Sequence, residues 1–202
     1  MGAEPSIRAV LGLGNPGPGY RLTRHNLGFL VVERLTERHG LRLCADGARL
    51  RSCRWRYGGG GRRIWLATPN TFMNLSGRGA GCLRGEHGVE PAEILVLVDD
   101  LDLPFGLLRL RERGGAGTHN GMRSLVEEMG EAFPRLRIGI GPPPEHADLA
   151  DWVLGEFPPE DRDRLGTVME GAAACVETAI RRGVRTAMNQ FNGPGPAAEA
   201  DS

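Results

Sequence analysis

The segment that most constrains the fold lies near the start of the chain, at residues 9–28, and reads AVLGLGNPGPGYRLTRHNLG. It begins with an apolar stretch of strand length, continues through a glycine- and proline-rich turn that contains Asn15, and ends in a polar tract that contains His25. A buried strand followed by an abrupt turn presents polar side chains at the strand's carboxyl end, where open α/β sheets bind their ligands. We therefore expect Asn15 and His25 to belong to a functional site.

Apolar periodicities along the rest of the chain predict alternating strands and helices. Strands are expected at residues 48–57, 64–67, 94–98, 107–111 and 136–140, and helices at residues 27–39, from about 77 to 84, at 122–129, at 161–182 and at 184–191. This alternation indicates a single-domain α/β fold in which a mixed, mostly parallel, twisted sheet is sandwiched between helices. We expect the domain to span residues 1–192 and residues 193–202 to form a disordered tail.

The predicted strand at residues 94–98 is entirely apolar and is followed directly by Asp99, Asp100 and, two residues later, Asp102. A continuous apolar run of this length is typical of a parallel strand that is buried on both faces. We expect this strand to lie in the centre of the sheet, with its carboxylates at the edge where ligands bind.

The composition is that of a soluble globular protein, with 40% hydrophobic residues, 25% charged residues and no net charge. All 25 basic residues are arginines, whose guanidinium groups suit phosphate, so a local basic patch is compatible with overall neutrality. No apolar run approaches the roughly 18 residues of a membrane span, and no signal segment precedes residue 9. We therefore expect a cytoplasmic protein that does not contact a membrane. The four cysteines lie far apart and favour neither a zinc nor a redox site.

Three other kinds of site have little support. Residues 12–17 match the dinucleotide-binding pattern G-x-G-x-x-G, but prolines keep the backbone irregular where that motif requires a helix to begin. A metal site has little support because the five histidines show no spacing typical of paired ligands. In addition, Asp100 must point away from Asp99 if the strand continues, so the two carboxylates would not share an ion. The G-x-S-x-G elbow of serine esterases is absent. We expect neither a cofactor nor a metal.

Seven phrases, in the same order, closely resemble those of the bacterial-type peptidyl-tRNA hydrolases. They are GLGNPG (residues 12–17), TRHN (23–26), FMNLSG (72–77), DDLDLP (99–104), GTHNG (117–121), RLRIGIG (135–141) and VLG (153–155). The resemblance covers about residues 8–192. It implies a single α/β domain that hydrolyses the ester between peptide and tRNA in peptidyl-tRNA, and so recycles tRNA from stalled or aborted translation.

The resemblance also implies roles for individual residues. His25 is expected to be the catalytic base and Asp99 the carboxylate that holds it, and Asn15 is expected to be the third catalytic residue. The expected substrate-binding residues are Asn15, Asn74 and Asn120, which would hold the peptide and the terminal adenosine, and Tyr20 and Phe72, which would line the site for the tRNA end. An imidazole suits an ester whose leaving group is a sugar hydroxyl, and asparagine amides hold peptide groups without introducing a charge.

Basic residues of the family clamp the tRNA acceptor end near two of the predicted strands. Arg109 and Arg111 share one face of a strand, as do Arg135 and Arg137, and we expect Arg109, Arg111 and Arg137 to contact the substrate. A solvated strand edge is the alternative interpretation. Family members commonly carry lysine here, so arginine is a departure that keeps the charge.

Two further departures are Val98, where many members carry histidine, and Pro18 in the first turn; neither removes an assigned residue. The main alternative function is that of a non-enzymatic RNA-binding relative with the same fold, as among organellar splicing factors. We expect a monomer without an obligate protein partner. Residues 141–151, with their proline run, are a candidate for a mobile cover over the substrate.

Overall fold

The computed structural model describes residues 6–58 and 61–193. Its strands are β1 Ala9–Gly12, β2 Cys44–Asp46, β3 Leu50–Tyr57, β4 Arg62–Pro69, β5 Ile94–Asp100, β6 Leu108–Arg111 and β7 Arg135–Gly139. Its α-helices are α1 Leu27–Arg38, α2 Ser76–His87, α3 Asn120–Met129, α4 Leu149–Leu154, α5 Arg162–Arg182 and α6 Val184–Phe191. Two short 3-10 turns, Arg24–Asn26 and Met73–Leu75, lead into α1 and α2.

The strands form one seven-stranded sheet in the order β2-β3-β4-β1-β5-β7-β6. The inner strands β4, β1, β5 and β7 pair in parallel, and antiparallel pairing is confined to the two sides of the sheet. β5 lies between β1 and β7, in the interior of the sheet as the sequence predicts. The predicted α/β fold with a mixed sheet between helices is confirmed.

Alternate residues of β5 enter hydrophobic clusters on opposite faces of the sheet. Leu95 and Leu97 pack in the cluster that includes α1, α5 and α6. Val96 and Val98 pack in the cluster that includes α2 and α3. Because the carboxyl end of β5 lies between these layers, a side chain at residue 99 is within reach of both of them.

The close approach of α1 to the sheet depends on Gly28. A Cβ atom at this position would lie 2.5 Å from both the backbone nitrogen of Leu13 and the carbonyl oxygen of Leu97. Only glycine therefore lets the first turn of α1 contact the backbones that follow β1 and lie within β5. This contact holds the preceding Arg24–Asn26 turn at the carboxyl ends of these strands.

The structure differs from the sequence prediction in three elements. β2 is a three-residue strand, too short to show a period in the sequence. α4 occupies part of the segment 141–151 that was expected to be a loop and continues to Leu154. α2 continues to His87, beyond the expected end near Arg84, and ends at Gly88 in the left-handed conformation.

Two predictions concern the ends of the chain and membranes. Residues 194–202 of the expected tail lie outside the described residues. In the described parts of the chain, no helix combines the length and the apolar character needed to cross a membrane.

Candidate active site

Four segments meet at the carboxyl edge of the inner strands and supply the polar residues of the site. They are the turn after β1 with Asn15, the Arg24–Asn26 turn with His25, the end of β5 with Asp99, and the start of α3 with His119. Asn15, His25 and Asp99 are all buried, and His119 is partly buried. Residues far apart in the sequence are thus brought together because parallel strands end at a common edge.

Asp99 lies between two histidines and accepts a hydrogen bond from each. His25 Nδ1 lies 2.9 Å from Asp99 Oδ2, and His119 Nε2 lies 3.0 Å from Asp99 Oδ1. The two imidazole rings are 4.7 Å apart between centroids. With Nδ1 of His25 bound to the carboxylate, its Nε2 is the ring atom available to accept a proton from a ligand or water.

The protonation of the His119 ring follows from its second set of contacts. Its Nδ1 accepts the backbone N–H groups of Gly121 at 3.1 Å and Met122 at 3.2 Å, so this side chain caps the start of α3. A nitrogen that accepts an N–H bond carries a lone pair, and the proton of the neutral ring is therefore on Nε2. His119 thus donates to Asp99, and its backbone contacts determine which tautomer does so.

Asp99 is held in its charged form. Burial alone would raise the pKa of this carboxyl, but its two hydrogen-bond partners, His119 and His25, outweigh burial and bring the pKa well below its ordinary value. An Asp99 that is ionised near neutral pH stabilises positive charge that develops on His25.

Asn15 is held by three hydrogen bonds. Its backbone N–H donates to Asn26 Oδ1 at 2.8 Å, and its carbonyl oxygen accepts from Asn26 Nδ2 at 3.0 Å. Its side-chain oxygen accepts the backbone N–H of Met73 at 2.8 Å. The Asn15 Nδ2 group is therefore the part of this amide that remains for a ligand, and Asn26, directly after His25, determines its position.

A cavity of about 720 Å³ opens in front of these groups. Of the residues that the sequence predicts for the site, eight line this cavity: Asn15, His25, Phe72, Asn74, Asp99, Arg111, Asn120 and Arg137. Tyr20 and Arg109 do not line it. Tyr20 contacts Phe72 edge to face, with 6.2 Å between ring centroids, and so supports the cavity wall from outside.

The basic side of the cavity is formed by β6 and β7. Arg109 pairs with Arg137 and Arg111 with Arg135 across the antiparallel strands, so all four lie on one face. Their environments differ. Arg135 is buried and binds backbone carbonyl oxygens that include those of Gly114 and Phe133, and burial lowers the pKa of this guanidinium to about 10. It therefore has a structural role.

The exposed arginines are better placed to bind an anion than the paired ones. Arg137 forms an ion pair with Asp100, and its Nη2 lies 3.7 Å from Asp102. Asp100, like Asp99, lines the cavity, but its carboxylate is engaged by Arg137 and not by the two histidines. Arg111 is exposed at the cavity, and so is Arg113, which follows the strand and was not predicted from the sequence.

Sequence reasoning missed several residues that shape the site. His119 and Asn26 both lie within the phrases that carry the family resemblance, yet neither was assigned a role. The opposite, apolar wall of the cavity comes from α4, through Leu149, Val153 and Leu154. Val153 and Leu154 lie within the family phrase VLG, yet neither was assigned a role, and α4 is short and has no buried residue that would mark it as a helix.

Two groups among the described residues have donor atoms close enough to share a metal ion. One is His25, Asp99 and His119; the other is Asp46, Glu86 and His87, at the end of α2. In both groups a histidine nitrogen already lies within 3.0 Å of a carboxylate oxygen. A metal ion would have to replace the hydrogen atoms in these contacts.

The chain matches the family model described as peptidyl-tRNA hydrolase over residues 9–200. It is 51% identical to the peptidyl-tRNA hydrolase of Roseiflexus sp. (strain RS-1) over 189 residues, which covers 93% of this chain and 86% of the relative. It is 49% identical to that of Chloroflexus aurantiacus (strain ATCC 29366 / DSM 635 / J-10-fl) over 185 residues, covering 91% and 97%.

The crystal structure of peptidyl-tRNA hydrolase from Acinetobacter baumannii superimposes with a TM-score of 0.84 at 37% sequence identity, over 96% of this chain and 100% of that one. The sequence and structural similarities therefore extend over the whole domain. The chain belongs to the peptidyl-tRNA hydrolase family.

Proposed function

We propose that the protein hydrolyses the ester bond of peptidyl-tRNA, with His25 as the general base. The observation that carries this proposal is the hydrogen bond between His25 Nδ1 and a buried, ionised Asp99, which leaves Nε2 as the ring nitrogen available for chemistry in a residue that lines a cavity with amides and arginines. The membership of the family supports the reaction, and the geometry supports the roles of the residues.

In the proposed first step, His25 Nε2 takes a proton from water as the water oxygen attacks the ester carbonyl carbon. Asp99 keeps the proton on Nδ1 and stabilises the imidazolium that forms. The negative charge then develops on the carbonyl oxygen, where the Nδ2 group of Asn15 is available to donate a hydrogen bond. His25 and Asp99 are thus proposed as catalytic, together with Asn15.

In the second step, the tetrahedral intermediate collapses and the bond to the ribose oxygen breaks. The imidazolium of His25 returns its proton to that oxygen, so that free tRNA and a peptide carboxylic acid result, and the acid then loses its proton to solvent. The catalytic groups then regain their starting protonation.

The remaining cavity residues are proposed to bind the two halves of the substrate. Asn74, Asn120 and Phe72 suit the terminal adenosine and the peptide, because amides pair with either and an aromatic ring stacks on a base. Arg111 and Arg113 are proposed to contact phosphates of the acceptor stem, since both are exposed. Arg109 and Arg137 add positive potential from the same face.

We further propose that the protein acts as a monomer in the cytoplasm, where it recycles tRNA from stalled or aborted translation. No cofactor, metal or obligate protein partner is needed for the steps above, because the ester is already reactive and both proton transfers use His25.

The test is the release of tRNA from N-acetyl-aminoacyl-tRNA and from its unblocked counterpart. The parent protein should cleave the blocked ester, and His25→Ala should not. His87→Ala is the matched control, because His87 also bonds a carboxylate, with 2.8 Å between its Nε2 and Asp46 Oδ2, but lies away from the cavity. Tight tRNA binding without turnover in the parent would instead support the RNA-binding alternative.

A further inference from the structure

The helix α4, which forms the apolar wall of the cavity, depends on a neighbouring segment to hold it in place. α4 has six residues, none of them buried, and Leu149 and Leu154 are 51% and 40% exposed. A helix of this length is not stable on its own. Its principal packing partner among the described elements is the Arg24–Asn26 turn that carries His25. The wall of the cavity therefore rests on the catalytic turn.

Arg24 joins α4 and the residue that follows it to this turn through several contacts. Its guanidinium carbon lies 3.7 Å from the centroid of the Trp152 ring, and its Nη1 donates to the Trp152 carbonyl oxygen at 3.3 Å. Its backbone N–H donates to the carbonyl oxygen of Gly155 at 3.0 Å. The ring of Phe157 lies on the same guanidinium, 5.6 Å away at its centroid.

The surroundings leave little freedom for the Arg24 side chain. The residue is only 9% exposed, and a Cβ atom at Gly155 would lie 2.8 Å from Arg24 Nη1. The Trp152 ring is itself held, because its Nε1 donates to the carbonyl oxygen of Gly141 at 3.3 Å. A desolvated guanidinium stacked on an indole is among the stronger cation–π contacts in proteins.

We propose that Arg24 is a positioning residue, whose guanidinium fixes α4 to the catalytic turn and so holds the apolar wall and the His25 base in one relative position. Arg24 does not line the cavity, so it acts through its neighbours and does not touch the substrate. This inference rests on the proposed function for its kinetic consequence. Its structural consequence, that Arg24 holds α4 against the catalytic turn, is independent of the reaction.

The experiment compares Arg24→Gln, Trp152→Leu and Trp152→Phe with the parent. The first two remove the cation or the ring face, and Trp152→Phe keeps a ring face. Arg54→Gln is the matched control, because the guanidinium carbon of Arg54 lies 4.5 Å from the centroid of Trp65, a cation–π contact outside the cavity. Each protein is assayed well below its own melting temperature.

Arg24→Gln and Trp152→Leu should raise KM for N-acetyl-aminoacyl-tRNA about 5- to 20-fold, in line with the loss of a desolvated cation–π contact, and should lower kcat as well. In both, the amides of residues 149–154 should exchange with deuterium faster, while those of β1 and β5 should not. Trp152→Phe should stay within about 3-fold of the parent, since phenylalanine provides a weaker but similar contact.

Parent-like kinetics and parent-like exchange in Trp152→Leu would overturn the proposal, even if Arg24→Gln fails to fold. So would a lower melting temperature with unchanged kcat and KM, which is the result of a merely structural role. Equal changes in kcat, KM and exchange in Trp152→Phe and Trp152→Leu would show that the aromatic ring face of residue 152 is not what holds α4 on Arg24. If the parent shows no hydrolysis, the proposed function fails. The deuterium exchange of the amides of residues 149–154 still decides whether Arg24 holds α4 in place.

Discussion

Replacing Asp99 with asparagine should inactivate His25 by changing the position of one proton. Asparagine keeps the shape of the side chain but offers one acceptor and one donor group in place of two acceptors. His119 must present an N–H toward residue 99, because its other nitrogen accepts the N–H groups of Gly121 and Met122. The oxygen of the new amide must therefore face His119, and its NH₂ group must face His25.

An NH₂ group opposite His25 Nδ1 requires that nitrogen to be an acceptor. The proton of the neutral ring is then on Nε2, which cannot take a proton from water. The expected loss in kcat is about 10²- to 10⁴-fold, the usual contribution of general-base catalysis, and corresponds to about 3–5 kcal/mol in activation free energy. The fold should persist, because Asp99 is buried and the neutral amide is less costly to desolvate.

The assay is single-turnover cleavage of N-acetyl-aminoacyl-tRNA, combined with ¹⁵N NMR of the histidine side chains to determine the His25 tautomer. The double variant Asp99→Asn with His119→Ala is the informative control, because without His119 the amide can rotate and present its oxygen to His25. We expect this double variant to recover part of the rate lost in Asp99→Asn. A single variant that retains a third or more of the parent rate, or that keeps the His25 proton on Nδ1, would refute the reasoning.

Three further predictions concern charge, packing and pH. Arg111→Gln and Arg113→Gln should each lower kcat/KM and reduce the steepness of log(kcat/KM) against log[KCl] by about 1. An unchanged slope in both variants would show that neither arginine contacts a phosphate. Gly28→Ala should lower the free energy of unfolding by more than about 2 kcal/mol in urea titrations, because its Cβ would lie 2.5 Å from backbone atoms. Gly85→Ala, in α2 with no atom within 4 Å of its Cβ, should raise the free energy of unfolding by about 0.5–1 kcal/mol. Equal effects of the two substitutions would contradict this account. Because folding lowers the pKa of Asp99, its ionised form stabilises the fold above about pH 4, and this contribution is lost as the pH falls further. Acid titrations should therefore show a smaller loss of stability below pH 4 in Asp99→Asn than in the parent, and parallel curves would contradict the assignment.

The sequence alone was sufficient for the architecture, because the strands and helices differ in their apolar periods. The run at residues 94–98 has the composition of a doubly buried strand, and β5 lies in the sheet interior with its clusters on both faces. The short elements β2 and α4 were missed, because three and six residues are too few to show a period. His25 and Asp99 could be assigned to the site because they lie in the family motifs TRHN and DDLDLP.

Only the tertiary structure decided how the side chains of the site are connected. His25 and Asp99 are 74 residues apart, and the contact between them depends on Gly28, which lets α1 approach the sheet. His119 became recognisable only when both of its ring nitrogens were seen to have partners. Arg109, Arg111, Arg135 and Arg137 look alike in the sequence, but burial and ion pairing give each a different environment. Sequence patterns record the local period of the backbone, whereas partner, burial and tautomer depend on contacts between distant segments.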